Sequence, residues 1–202
     1  MRKDKLPILK TRRLVLRDIE LKDISWDYVT WMNDPEMIKF LDVRFNPPTF
    51  NRMREYIRLK LIDIESSMHF GVYDSGGMRL VGTVTLPVIN KDHLYAELSF
   101  VIGHPSAKGR GYATEAIHGV TYYVFYELGI CKLYSEHFAA NEASNRVLLK
   151  NGYINEGRFK NKFIDNNGCR VDSIIKGLYV DDFKPRTDLL GDVPPLKTRM
   201  EE

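Results

Sequence analysis

Leu14, Leu16 and Ile19 set an alternating apolar rhythm over residues 13–19 that predicts a strand. Asp23 is read as the start of a helix running to Asn33, which Asp34-Pro35 ends or kinks, because a proline drives the residue before it out of the α region. Trp26 and Trp31 fall in or beside this helix and are assigned to core or lid packing. Asn46-Pro47-Pro48 is a break. After it Thr49 can cap a helix, and Phe50, Met53, Ile57, Leu61 and Ile64 recur at helical spacing, so residues 50–66 read as amphipathic. Three strands follow, over 69–74, 79–89 and 93–102, separated by turns at 75–77 and 90–92. Ala113, Ala116, Ile117, Val120 and Val124 predict a helix from 112 to about 127, stopped at Gly129. Residues 131–137 read as a strand, and Asn141 caps a short helix ending at Asn151-Gly152. Strands over 153–164 and 169–180 flank Asp165-Asn-Asn-Gly168, a strong hairpin signal.

The resulting order, β α α β β β α β α β β, is that of a three-layer α/β domain with helices on both faces of a mixed central sheet of about seven strands. A single domain over 13–183 accounts for it. A basic segment, 1–12, precedes the domain, and a proline-containing tail, 184–202, follows it. With 44% apolar and 28% charged residues the chain has a globular composition, and its length suffices for a proper core. A net charge of +3 is too small to argue for a nucleic acid or an anionic membrane as partner. Cys131 and Cys169 have no CxxC or histidine cluster beside them, so they read as reduced core thiols rather than a disulfide or a metal site, and no metal is expected. The apolar runs fall short of the ~20 residues a membrane span needs, and a cytoplasmic location is the expectation.

The chemistry gathers at Gly103-His-Pro-Ser-Ala-Lys-Gly-Arg-Gly-Tyr-Ala-Thr-Glu-Ala116, where the third strand of the series gives way to the central helix. The first N–H groups of a helix have no partner within it, and glycines let a ligand approach the backbone, so such a loop suits a phosphate. It is not a Walker loop, because Arg110 follows Gly109 and His104 stands where the first glycine is needed. It is not a dinucleotide fingerprint either, because Thr114 occupies the third glycine position. An anion cradle and an ordinary strand-to-helix turn remain the two readings of the loop alone.

Four stretches in register resemble the GCN5-related N-acetyltransferase (GNAT) superfamily. They are Thr11-Arg-Arg-Leu-Val-Leu-Arg17, the glycine loop, Asn141-Glu-Ala-Ser-Asn-Arg-Val-Leu-Leu-Lys-Asn-Gly-Tyr153 and Ile175-Lys-Gly-Leu-Tyr-Val-Asp-Asp-Phe183. The nearer resemblance is to the RimJ/RimL-like enzymes that acetylate N-terminal residues of ribosomal proteins, and to relatives acting on amino sugars. It implies acetyl-CoA as cosubstrate, with the pyrophosphate on the amides of Lys108, Gly109, Arg110, Gly111, Tyr112 and Ala113. It also implies a splayed fourth strand pairing with pantetheine near Phe100, Val101 and Ile102, and Asn141 meeting the coenzyme from the other side. The implied acceptor is a primary amine on a small molecule or a peptide N-terminus, attacked directly in a ternary complex. A homodimer is left open. Two positions depart from the family pattern: Ser106 replaces Gln or Arg, and Leu148 stands where many members carry the tyrosine that protonates the thiolate.

An amine must shed its proton to attack, which calls for a base. Glu97 is the candidate: it shares one strand face with Ser99 and Val101. Glu136 and His137 are secondary, and His104 and His118 are placed in solvent. Ser144, one helical turn before Leu148, is the candidate acid in the subgroup resembled; capping its own helix turn is the competing role. The acceptor site is expected from the first two helices, the 33–49 connection and the 165–168 hairpin. A catalytically silent coenzyme-binding module on the same fold is the alternative function.

Overall fold

A computed structural model describes residues 5–60, 66–76 and 78–191. Its strands are β1 (Leu9–Lys10), β2 (Leu14–Asp18), β3 (Met68–Asp74), β4 (Arg79–Leu86), β5 (Ile89–Asn90), β6 (Tyr95–Glu97), β7 (Ser99–Ile102), β8 (Lys132–Phe138), β9 (Ile154–Ile164) and β10 (Arg170–Tyr179). The helices are α1 (Trp26–Trp31), α2 (Pro35–Ile38), α3 (Phe50–Lys60), α4 (Tyr112–Tyr126) and α5 (Glu142–Lys150). The mixed α/β architecture is as expected, but its hydrogen-bond ladders form two five-stranded sheets, β1-β2-β3-β4-β7 and β5-β6-β8-β10-β9.

The division falls inside one run of chain. Residues 93–102 read as a single strand because Ala96, Leu98, Phe100 and Ile102 keep an unbroken apolar rhythm, yet the run breaks its pairing at Leu98. Before the break, β6 pairs in parallel with β8, Glu97 opposite Tyr134. After it, β7 pairs antiparallel with β4, Ser99 opposite Thr85 and Val101 opposite Thr83. Leu98 still donates its N–H to the Tyr134 carbonyl at 2.7 Å. Beyond it the strands diverge, so the β7 edge facing β8 has no ladder partner among the described residues.

Helix α4 packs against one face of the first sheet: Ala116, Ile117, Val120 and Val124 meet Leu14, Leu16, Phe70, Val72 and Val84. Helices α1 and α3 cover the other face, where Tyr28, Trp31, Met53 and Ile57 join Ile19, Tyr73 and Leu80. The strict alternation of β2 reflects this: Leu14 and Leu16 face α4, whereas Val15 packs with the second cluster.

Several boundaries differ from the sequence reading. The first helix starts at Trp26 with Ser25 as its cap, because Asp23 is committed elsewhere, to Arg17 and the Tyr73 hydroxyl. Asp34 does end it, then caps α2 with Pro35 in the first turn. The end of the predicted 50–66 helix lies outside the described residues. Trp31 is core, whereas Trp26 is exposed and touches Phe50. The N-terminal segment is anchored from Leu6 onward, where Leu6 is buried and β1 pairs with β2. The beginning of the tail is docked as well, with Thr11 bridging to Leu190 and the Arg186 N–H donating to His118 Nε2. His118 is therefore buried rather than in solvent, and Cys169 is an exposed thiol, not a core one.

Candidate active site

Helix α4 begins at Gly111, whose φ is +76°; Gly109 has φ +74°. Both lie in the left-handed region that only glycine enters without strain, and together they turn the chain so that successive amides face outward. Among the described residues the N–H groups of Gly109, Gly111, Tyr112, Ala113 and Thr114 make no hydrogen bond, whereas Glu115 N–H already bonds to Gly111. A row of free amides at the positive end of a fifteen-residue helix is an anion site.

That row opens on a cavity of about 550 Å³. Its walls are the β7 residues Phe100, Val101 and Ile102, the loop residues Lys108, Gly109, Gly111, Tyr112 and Ala113, and Asn141, Ser144 and Val147 of the α5 segment. Lys39, Lys108, Arg146 and Lys150 line it against a single carboxylate, Glu36, which is paired with Lys39 at 2.9 Å. The lining is thus cationic as well as rich in donors. Asn141 caps α5, its Oδ1 accepting from Ser144 N–H at 3.1 Å, and the Ser144 hydroxyl makes no hydrogen bond among the described residues.

A second cavity, of about 770 Å³, lies on the α1/α3 side of the first sheet. Tyr28 of α1 and Met32 just after it, Leu41 to Val43, Asn46 and Pro48 of the connection, and Met53, Tyr56 and Leu59 of α3 form its walls. Its floor is His69 of β3, Thr83 and Thr85 of β4, and Ser99 to Val101 of β7. The two cavities share Leu41, Phe100 and Val101, so they meet at the unpaired edge of β7. The connection is held over this junction by Phe40 against Phe138 (5.3 Å) and by Arg44, which donates to the Ile164 carbonyl and lies over Phe138 (5.0 Å). The 165–168 hairpin lines neither cavity; its supporting strand only pins the connection.

Most coenzyme-site residues singled out from the sequence gather on the first cavity, but Arg110, Ser106 and Glu97 are among the residues that do not. Arg110 turns outward over the Tyr112 ring and toward Asp74, 3.9 Å away. Ser106 also stays off the cavity, its Oγ 2.8 Å from His104 Nδ1. Glu97 lines neither cavity: it ends β6, and one oxygen accepts from the Tyr134 hydroxyl at 3.2 Å. Burial and that carboxylate push Tyr134 up to about 12. Leu148 is sealed in the core rather than lining the site.

Two groups have no role in the sequence reading, although Glu115 lies within the glycine-loop stretch. Glu115 is a fully buried carboxylate, bonded by the Thr11 hydroxyl (2.8 Å), the Arg13 N–H (2.6 Å) and the Arg13 guanidinium (2.7 Å). Arg13 in turn donates to the Arg110 carbonyl at 2.9 Å, fixing the glycine loop from behind. His69 is buried on the floor of the larger cavity, with Nδ1 2.7 Å from Thr85 Oγ1. Burial pushes its pKa down to about 4.

A splayed sheet whose free edge meets a helix N-terminus, with a second cavity opening on the same edge, has the build of a group-transferring enzyme that joins two substrates. A family model described as an acetyltransferase (GNAT) domain matches residues 13–154, and the chain belongs to that family of N-acetyltransferases. Among curated proteins it is 29% identical over 182 residues to the uncharacterized N-acetyltransferase YoaA of Bacillus subtilis, covering 89% of this chain and 98% of YoaA. Among solved structures it superposes on RimL, the ribosomal L7/L12 α-N-protein acetyltransferase in complex with coenzyme A. The TM-score is 0.79 at 16% identity, over 87% of this chain and 99% of that one. Spermidine N-acetyltransferase from Vibrio cholerae, in complex with CoA and spermine, gives a TM-score of 0.73 at 24% identity, over 84% and 97%. At these identities the structural likeness is one of fold. No helix among the described residues is long and apolar enough to cross a membrane.

Proposed function

We propose that this N-acetyltransferase moves acetyl from acetyl-CoA, bound in the smaller cavity, to a primary amine held in the larger one. The observation carrying this reading is that the two cavities meet at Phe100 and Val101, beside a strand edge that has no ladder partner among the described residues. The free amides of Gly109 and of residues 111–113, with Lys108 beside them, suit the pyrophosphate, and Asn141 closes the opposite wall. The unpaired β7 edge suits the amides of pantetheine. The nitrogen lone pair attacks the thioester carbonyl, the C–S bond breaks, and the thiolate takes up a proton. Glu97 stands two residues before Ser99 on the cavity floor and has one oxygen free among the described residues, so it serves as proton acceptor through water. Ser144, with its free hydroxyl on the coenzyme side, serves as donor to the thiolate. A thiol pKa near 8.5 makes coenzyme A a fair leaving group, so the donor contributes less than the base.

The acceptor is a small amine or a peptide N-terminus and not a polycation. Asp42 and Glu55 on the larger cavity are exposed and offset by Arg52, and among the described residues no carboxylate lies in its depth to receive a second ammonium group. The test is thiol release from acetyl-CoA across a panel of aromatic, aliphatic, peptidyl and polyamine acceptors. Release with no amine would reject the transfer reading, and selective turnover of spermidine would reject the acceptor class.

A further inference from the structure

The larger cavity is divided by polarity in a way that specifies a ligand. Its charged lining residues, Asp42, Arg52 and Glu55, are exposed. Its buried lining is uncharged: Tyr28 and Met53 are each 3% exposed, Thr83 7% and His69 8%. Three polar groups in this buried part make no hydrogen bond among the described residues. His69 Nε2 is enclosed with no hydrogen bond, and the Tyr28 hydroxyl makes none among the described residues. The Thr83 hydroxyl beside them makes none either, whereas His69 Nδ1 is met by Thr85. A buried ring nitrogen left open is costly, and the cost is recovered when a ligand supplies the partner. Tyr56, exposed on α3, packs edge-on against the imidazole at 5.6 Å.

The register sets the distance. His69 pairs with Thr85 and Thr85 with Ser99, so one row crosses β3, β4 and β7 from the imidazole to the edge where the cavities meet. Two strand spacings separate the ends of that row, roughly 10 Å. An amine nitrogen placed at the β7 edge therefore lies several bonds from any group that reaches His69. The walls along the way are Met32, Met53 and Leu41.

Resting on the reading of this cavity as the acceptor site, we propose that His69 and Tyr28 form a specificity subsite. It recognises an uncharged hydrogen-bonding group at the far end of an acceptor whose amine is carried on an apolar spacer. A hydroxyl or amide fits, since the imidazole can accept or donate according to its tautomer and the phenol can do either. Among the described residues no buried cation lines the cavity to pair with a carboxylate, and no buried carboxylate to pair with a second ammonium, so neither group suits it. The low basicity that burial imposes on His69 makes it a poor proton acceptor from an amine, so its part is recognition rather than catalysis.

The test compares tyramine with phenethylamine, which share amine and spacer and differ only in the terminal hydroxyl. The wild-type enzyme is expected to favour tyramine in kcat/KM by about ten- to a hundredfold, chiefly through KM, the scale of one well-made hydrogen bond. His69→Phe and, independently, Tyr28→Phe should each bring that ratio close to unity, and His69→Gln should restore part of it. Tyr28→Phe removes a single oxygen and keeps the test decisive if His69→Phe fails to fold. Equal turnover of the two amines by the wild type would overturn the subsite while leaving the transfer reading intact. If neither amine is turned over, tyramine binding to the coenzyme A-loaded protein decides: affinity at least tenfold weaker in Tyr28→Phe supports the subsite, and equal affinity rejects it.

Discussion

Gly111 shows how a single residue carries the coenzyme site. Its φ of +76° and its place as the cap of α4 put its own amide and the three after it toward the cavity, and a β-carbon there would meet nothing closer than the Arg13 guanidinium at 3.7 Å. Gly111→Glu should therefore fold, at the cost of one strained residue, yet abolish coenzyme A binding by setting a carboxylate on the phosphate position. Calorimetric titration checks this, and an unchanged affinity would remove the loop from the site. At the chemical step, Glu97→Gln should lower the rate at pH 7 by roughly 10²–10⁴, the loss shrinking as pH rises and the amine deprotonates unaided. Ser144→Ala should cost only about ten- to a hundredfold. A Glu97→Gln defect that stays constant with pH would instead mean that Glu97 and its Tyr134 partner shape the splay.

At the level of elements, the loop is held by a strand it does not touch in sequence. Arg13, just before β2, bonds Glu115 of α4 and the Arg110 carbonyl, so the N-terminal hairpin and the helix N-terminus move as one unit. Arg13→Met would leave the fully buried Glu115 carboxylate without its counter-charge; because the guanidinium is 38% exposed, the loss should fall below the ~3–5 kcal/mol typical of a fully buried pair. Urea denaturation should register that loss, and the coenzyme affinity should fall with it because Arg110 is released. A variant as stable as the parent would show that the Thr11 hydroxyl and the Arg13 N–H alone satisfy the carboxylate.

For the whole molecule, the buried imidazoles give folding a pH dependence with a definite sign. His69 is held at about 4 by burial, below its ordinary 6.5, and His118 is lowered in the same direction. Above pH 6.5 both states of His69 are neutral and stability is insensitive to it. As pH falls from 6.5 towards about 4, the unfolded chain takes up a proton that the folded one refuses, and up to ~3 kcal/mol of stability drains away. Below that the contribution levels off. Melting curves from pH 7 to 4.5 should show this decline, and His69→Gln should flatten it; identical slopes for the two proteins would mean that other groups set the acid limit.

The local patterns carried much of this protein. Alternation at Leu14 and Leu16, the helical spacing of Ala113 to Val124 and the Asp165–Gly168 turn located β2, α4 and the last hairpin, because each depends on residues close in sequence. The spacing of Gly109 and Gly111 before a helix likewise pointed to the anion cradle. Tertiary structure decided what no local pattern encodes. An unbroken apolar rhythm crosses Leu98, but which neighbour each half pairs with depends on β4 and β8, distant in sequence, and that choice opens the wedge between the sheets. Glu115 and His69 read as ordinary polar residues until long-range packing buries one beside Arg13 and leaves the other with an enclosed, unpartnered nitrogen beneath α3. Periodicity reports which face of an element is buried; what that face meets is fixed only when the whole chain has closed around it.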